Sequence, residues 1–177
     1  MREEIIMAGS GGQGIMFAGT LLAHAAMEEG LNVTYFPSYG AEMRGGTAKC
    51  TVIISDERIG SPVVANPSTL LAMNESSLQK FAPEVKRNGL IIVNSSLSKK
   101  GVGIDDVEVL NIPATELAEK LGDKKVANMV ILGAYIKKRK VVSLERTMES
   151  LGKVLGEGRE NLIKLNREAL RKGEEWK

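Results

Sequence analysis

A chain of 177 residues with 43% apolar and 26% charged residues has the composition of one globular domain, which excludes a disordered tract or a fibrous repeat. A net charge of +2 and an aromatic share of 4% supply neither the field nor the stacking platforms expected of a nucleic-acid binder. The single cysteine, Cys50, rules out an intrachain disulfide framework or a multi-cysteine metal site, and suits a reducing cytoplasm.

Apolar runs such as Met129 to Leu132 are far shorter than a membrane span, and Glu3 and Glu4 stand where a signal peptide would be basic. The chain reads as one domain over 1–177, with a helical part from about 126 to 177.

In chain order, Ile5 to Ala8 is a short apolar strand that stops at Gly9, and a helix follows Gly14 and runs to Gly30. Within that helix Ile15, Ala18, Leu22, Ala25 and Ala26 recur at spacings of three and four, giving one packing face. Asn32 to Phe36 predicts a second strand ended by Pro37, and Ser38 to Gly46 a polar loop. Thr47 to Ser55 alternates as a strand, and Gly60, Pro62 and Pro67 mark the turns that follow.

Leu70 to Asn74 and Leu90 to Asn94 predict further strands, separated by a helix over Glu75 to Arg87 entered through Ser76 or Ser77. Val107 to Ile112 is another strand and Ala114 to Leu121 another helix. From Val126 onward three helical faces succeed one another, marked by Met129, Leu132 and Ile136, then Leu144, Met148 and Leu151, then Leu162, Leu165 and Leu170. Strands alternating with helices predict an α/β, Rossmann-like fold: a mostly parallel sheet with helices on both faces and a helical C-terminal part.

Gly9, Gly11 and Gly14, with Gly12 and Gln13 between them, satisfy the Gly-x-Gly-x-x-Gly spacing between a strand and a helix. Such a loop turns tightly and exposes amides beside a helix N-terminus, where an anion is stabilised. Phe36, Pro37 and Ser38 stand where a ribose-holding acid would end the second strand, and no P-loop lysine follows. Anion or cofactor binding and plain packing of helix on sheet both remain open readings of the loop.

The second loop carries Tyr39, Glu42, Arg44, Gly45 and Gly46, and a doubly wound sheet would bring it to the same carboxyl edge. Arg44 is suited to bidentate pairing with a carboxylate or phosphate, with Glu42 to orient it. His24 reads as a packed side chain of the first helix, Cys50 as a small buried hydrophobe, and Lys137 to Lys140 as cations at a helix C-terminus. Asn128 caps or lines the start of its helix.

Taken together, GSGGQG opening a helix, then SYGAEMRGGTAKCTVIIS, then NMVILGA resemble the gamma subunit of 2-oxoacid:ferredoxin oxidoreductases, from Ile5 to about Leu155. The Glu-Met-Arg-Gly-Gly version is most similar to the branch handling 2-oxoglutarate or branched-chain 2-oxoacids such as 2-ketoisovalerate. The resemblance implies oxidative decarboxylation of a 2-oxoacid with coenzyme A, giving acyl-CoA, carbon dioxide and reduced ferredoxin. It places thiamine diphosphate, Mg and iron-sulfur clusters on alpha, beta and often delta partner subunits, since this chain has no Gly-Asp-Gly motif and one cysteine. It implies an edge formed by Gly9 to Gly14 and Tyr39 to Gly46 that faces the catalytic subunits or receives coenzyme A or a substrate anion. The alternatives are a subunit of the related indolepyruvate oxidoreductase, a stand-alone dinucleotide-binding module or sensor, and a purely structural scaffold; self-association of the isolated chain stays open.

Overall fold

The computed structural model describes residues 1–39, 47–99 and 103–177, with Tyr39 as backbone alone. Six strands form one sheet: β1 (Arg2–Ser10), β2 (Asn32–Tyr39), β3 (Thr47–Ser55), β4 (Thr69–Ala72), β5 (Gly89–Asn94) and β6 (Val107–Ile112). Their order across the sheet is β2-β3-β1-β4-β5-β6. β1, β4, β5 and β6 are parallel neighbours, whereas β3 runs antiparallel to both β1 and β2.

The reversal has a local cause. Seven residues of sequence separate β2 from β3, and a parallel pair would need a crossover connection of a dozen or more residues. Five strands therefore share one direction and β3 alone opposes them. β3 also enters the sheet between β1 and β2, which places the end of β2 two strands away from the glycine loop.

Side chains alternate across the sheet with period two. Ile5 and Met7 of β1, Val52 and Ile54 of β3, and Leu90 and Ile92 of β5 point into one layer. Ile6, Ala8, Ile53, Ile91 and Val93 point into the other. Helices α1 (Ile15–Glu28), α3 (Ala114–Lys120) and α4 (Ala127–Arg139) pack on the first face. α5 (Leu144–Leu155) and α6 (Glu160–Glu174) lie over them, and α2 (Glu75–Phe81) covers the second face through Leu78 and Phe81.

Three sequence expectations change. β2 continues through Pro37 and Ser38 to Tyr39, because an edge strand tolerates a residue without an N–H. The helix expected to reach Arg87 ends at Phe81 and passes into a 3-10 turn over Ala82–Glu84, at Pro83. Its N-cap is Asn74, the residue expected to finish a strand, and its Oδ1 accepts from Ser77 N at 2.9 Å.

The basic run is absorbed into the fold. Arg139 donates to Thr69 Oγ1 at 3.0 Å and Ser68 O at 2.8 Å and pairs with Glu3 at 3.4 Å, tying the end of α4 to the amino ends of β1 and β4. Lys138 pairs with Glu108 and Lys137 donates to Trp176 O.

α4 and α6 cross at two glycines. A Cβ on Gly133 would run into the Leu170 carbonyl, and one on Gly173 into the Val130 carbonyl. Gly152 in α5 faces open space. Gly133→Ala is expected to lower stability by about 1–3 kcal/mol through overpacking against backbone, and Gly152→Ala to raise it by about 0.5–1 kcal/mol. Denaturant unfolding of both variants checks the opposite signs.

Candidate functional site

The carboxyl ends of β1 and β4 lie side by side where the chain diverges. From β1 it passes through α1 on one face towards β2, and from β4 through α2 on the other face to β5. This is the topological switch point at which open α/β sheets bind ligands. A cavity of about 430 Å³ opens there. Gly12 and Gln13 form one side, Met73 and Leu97 give it apolar surface, and Lys124, Lys125, Thr115 and Glu119 supply polar groups.

Gly9, the last residue but one of β1, has no room for a side chain, since a Cβ would lie 2.9 Å from both Ile15 Cδ1 and Met73 Cβ. Gly11 and Gly12 are exposed at the tip, and Gly12 has φ +92° with open space beside it. Gly14 is the N-cap of α1 at φ +70°; among the described residues no side chain caps this end, and no acidic residue lies in the first turn. The positive end of the helix dipole at this position favours an anion.

Gln13 turns its carboxamide inward. Its Oε1 accepts from Ser10 N at 2.7 Å and from Asn74 Nδ2 at 3.3 Å, while Nε2 donates to Met73 O at 3.3 Å. Asn74 Nδ2 also donates to Ser10 Oγ at 2.6 Å. One strand further, Asn94 Nδ2 donates to Thr115 Oγ1 at 2.9 Å and Asn94 Oδ1 accepts from Thr115 N at 3.3 Å. Neutral amides that both donate and accept therefore satisfy the loop ends without adding charge.

Charge comes from a segment that the sequence reading passed over. Asp123 Oδ1 accepts from Lys125 N at 2.9 Å, capping a 3-10 turn over Lys124–Val126 that holds Lys124 and Lys125 exposed at the cleft. The local signal was the Gly-Asp pair before the lysines, which is turn chemistry. Its position opposite the glycine loop has no local signal.

The β2 backbone brings Tyr39 beside Ala48, and Thr47 lies beside Ser10, so both flanks of the second loop meet this edge. The side chain of Tyr39, and Glu42, Arg44, Gly45 and Gly46, lie outside the described residues. β3 lies between β1 and β2, so the end of β2 is two strands from the glycine loop; the carboxylate lining the cleft is Glu119 of α3.

Residues 4–176 match the model of the pyruvate ferredoxin/flavodoxin oxidoreductase family. The chain belongs to that family. It is 39% identical over 173 residues to the ketoisovalerate oxidoreductase subunit VorA of Methanothermobacter thermautotrophicus, covering 98% of this chain and 36% of the relative. The chain thus spans about a third of the length of that curated relative. Among solved structures, the gamma subunit of a keto/oxoacid ferredoxin oxidoreductase from Geobacter sulfurreducens shares the fold, with a TM-score of 0.83, 32% identity and coverage of 97% of this chain and 95% of that one. The 2-oxoglutarate:ferredoxin oxidoreductase of Magnetococcus marinus, with 2-oxoglutarate, coenzyme A and succinyl-CoA bound, matches with a TM-score of 0.88 and 26% identity over 98% of this chain and 30% of that one. The resemblance to the gamma subunit and the Rossmann-like fold therefore hold.

The family's iron-sulfur chemistry does not fit the donors of this chain. Cys50 is fully buried in β3, its Sγ donates to Ile15 O at 3.6 Å, and burial pushes its thiol up to about 12. Among the described residues no group of three His, Cys, Asp or Glu could hold a metal ion. His24 is half-buried on α1 and its Nδ1 has no hydrogen-bond partner among the described residues. Cys50 is expected to resist a thiol reagent at pH 8 and to react fully once the chain is unfolded in denaturant. Rapid labelling of the native protein would contradict its burial.

Proposed function

We propose that this chain acts as a single gamma-type domain of a multi-subunit 2-oxoacid:ferredoxin oxidoreductase. The reaction is oxidative decarboxylation of a 2-oxoacid with coenzyme A to acyl-CoA, carbon dioxide and reduced ferredoxin. Thiamine diphosphate, Mg and the iron-sulfur clusters belong to alpha, beta and, where present, delta subunits in the cytoplasm, and no electron-transfer step is assigned to this chain. The carrying observation is the cleft, in which Gly12 and Gln13, on the loop that leads into the N-terminus of α1, stand with Lys124 and Lys125.

The cleft suits a phosphate-bearing ligand with an apolar portion, which is the chemistry of coenzyme A. Backbone amides and the helix dipole receive the anion, the two lysines raise its local concentration, and Met73 and Leu97 offer apolar contact. Arg44 is assigned to the same anion from the neighbouring loop. Glu119 favours a second reading, a stand-alone dinucleotide module, because its carboxylate is suited to accept from ribose hydroxyls.

Mild purification of the chain from its native cells, followed by assay of CoA-dependent viologen reduction with ketoisovalerate and 2-oxoglutarate, separates the readings. Partner subunits with that activity support the oxidoreductase subunit. A lone chain with saturable NAD or NADP binding supports the module. In the assembled enzyme, Lys124→Glu with Lys125→Glu is expected to raise KM for coenzyme A about tenfold, equivalent to about 1.4 kcal/mol, with kcat near the wild type. Arg44→Ala is expected to act in the same direction, and unchanged KM in both variants would remove the anion-binding role.

A further inference from the structure

We propose that Asn128 is the positioning residue of the glycine loop, holding it in one geometry with the turn that carries Lys124 and Lys125. Its Nδ2 donates to Gly14 O at 3.0 Å across 114 residues of sequence, while its Oδ1 accepts from Met129 N at 2.9 Å. The same Gly14 carbonyl accepts from Ala18 N at 3.0 Å, the first helical bond of α1. Asn128 therefore grips the loop where it becomes helix.

Packing alone does not hold this loop. Besides the 430 Å³ cleft, a second cavity of about 250 Å³ is lined by Gly12, Gly14, Phe17, Lys125 and Asn128. The two cavities share Gly12 and Lys125, so there is open volume at both. With open volume on two sides of Gly12, hydrogen bonds contribute to the position of the loop. Gln13 anchors it towards β4, and Asn128 anchors it towards α4.

The residue types at both ends of the bond are matched. A Cβ on Gly14 would run into the Asn128 amide, and φ +70° there favours glycine in any case. At 128 the side chain must donate to a carbonyl and accept from an N–H at once, which a carboxamide does and a carboxylate cannot. Aspartate would keep the Met129 bond but set an anionic oxygen against the Gly14 carbonyl, in a region where the lysines attract anions. The consequence for ligand affinity rests on the functional reading above; the positioning of the loop does not.

The test compares hydrogen–deuterium exchange of the full chain with and without Asn128→Asp or Asn128→Ala. Exchange across 9–18 is expected to accelerate about fivefold, the change that corresponds to losing one hydrogen bond of about 1 kcal/mol, with β4 and β5 unchanged. Gly14→Ala breaks the same contact, so Gly14→Ala with Asn128→Ala should be no worse than Gly14→Ala alone. In the assembled enzyme, Asn128→Asp should raise KM for coenzyme A several-fold with kcat within about twofold. Unchanged exchange in both Asn128 variants, additive effects in the double variant, or a loss of kcat with KM unmoved overturns the proposal. Accelerated exchange in an enzyme that shows no dependence on coenzyme A would support the positioning and sink the functional reading instead.

Discussion

The fold is organised by what β1 requires. Ile5, Ile6, Met7 and Ala8 are all buried, two on each face, and β1 is paired on one side with β3 and on the other with β4. A strand covered in this way needs a helical layer above and below it, a neighbour at each edge and a sharp exit at its end. α1 and α4 provide one layer and α2 the other, while the glycines of the loop provide the exit. The place at which β1 stops being a strand is consequently the place where the two layers part and a cleft can exist.

Four carboxamides maintain that parting: Gln13, Asn74, Asn94 and Asn128. Loop ends at a switch point leave backbone donors and acceptors that water cannot fully reach, and each unsatisfied group would cost about 1–3 kcal/mol. Carboxamides answer both kinds of group with one side chain and bring no net charge. The electrostatics of the cleft are then left to Lys124, Lys125 and Glu119 among the described lining residues. The scaffold and the charge that recognises a ligand are thus carried by different side chains.

Much of the scaffold was legible because its causes are local. The strand–glycine–helix sequence from Ile5 to Gly30, the β-branched run of β3 and the helical faces beyond Val126 all depend on spacing and backbone permissiveness within a few residues. Pro37 misled because whether a proline ends a strand depends on whether that strand lies at an edge, which only the completed sheet decides. Asn74 was read as a strand end because its capping oxygen serves an N–H three residues ahead. The glycines of the site announced themselves through conformation. Local chemistry marks Lys124 and Lys125 as a turn and Asn128 as a helix start, but not their meeting with the glycine loop, because topology gathers these residues and Asn94 from separate strands and turns, and Asn128 meets Gly14 across 114 residues.

The sheet has two outer strands, and each ends it in a different manner. At β2 the ladder carries Pro37, whose nitrogen has no hydrogen to offer an incoming strand. At β6 the Asn111 carbonyl already accepts from the Trp176 indole at 3.2 Å, so the last residues of the chain occupy a position that a foreign strand would otherwise take. Lateral growth of the sheet is interrupted at both borders. Sideways pairing with another sheet is thus discouraged at both borders, and a chain without the Trp176 indole would leave the Asn111 carbonyl open to a foreign strand and to fibrillar aggregation.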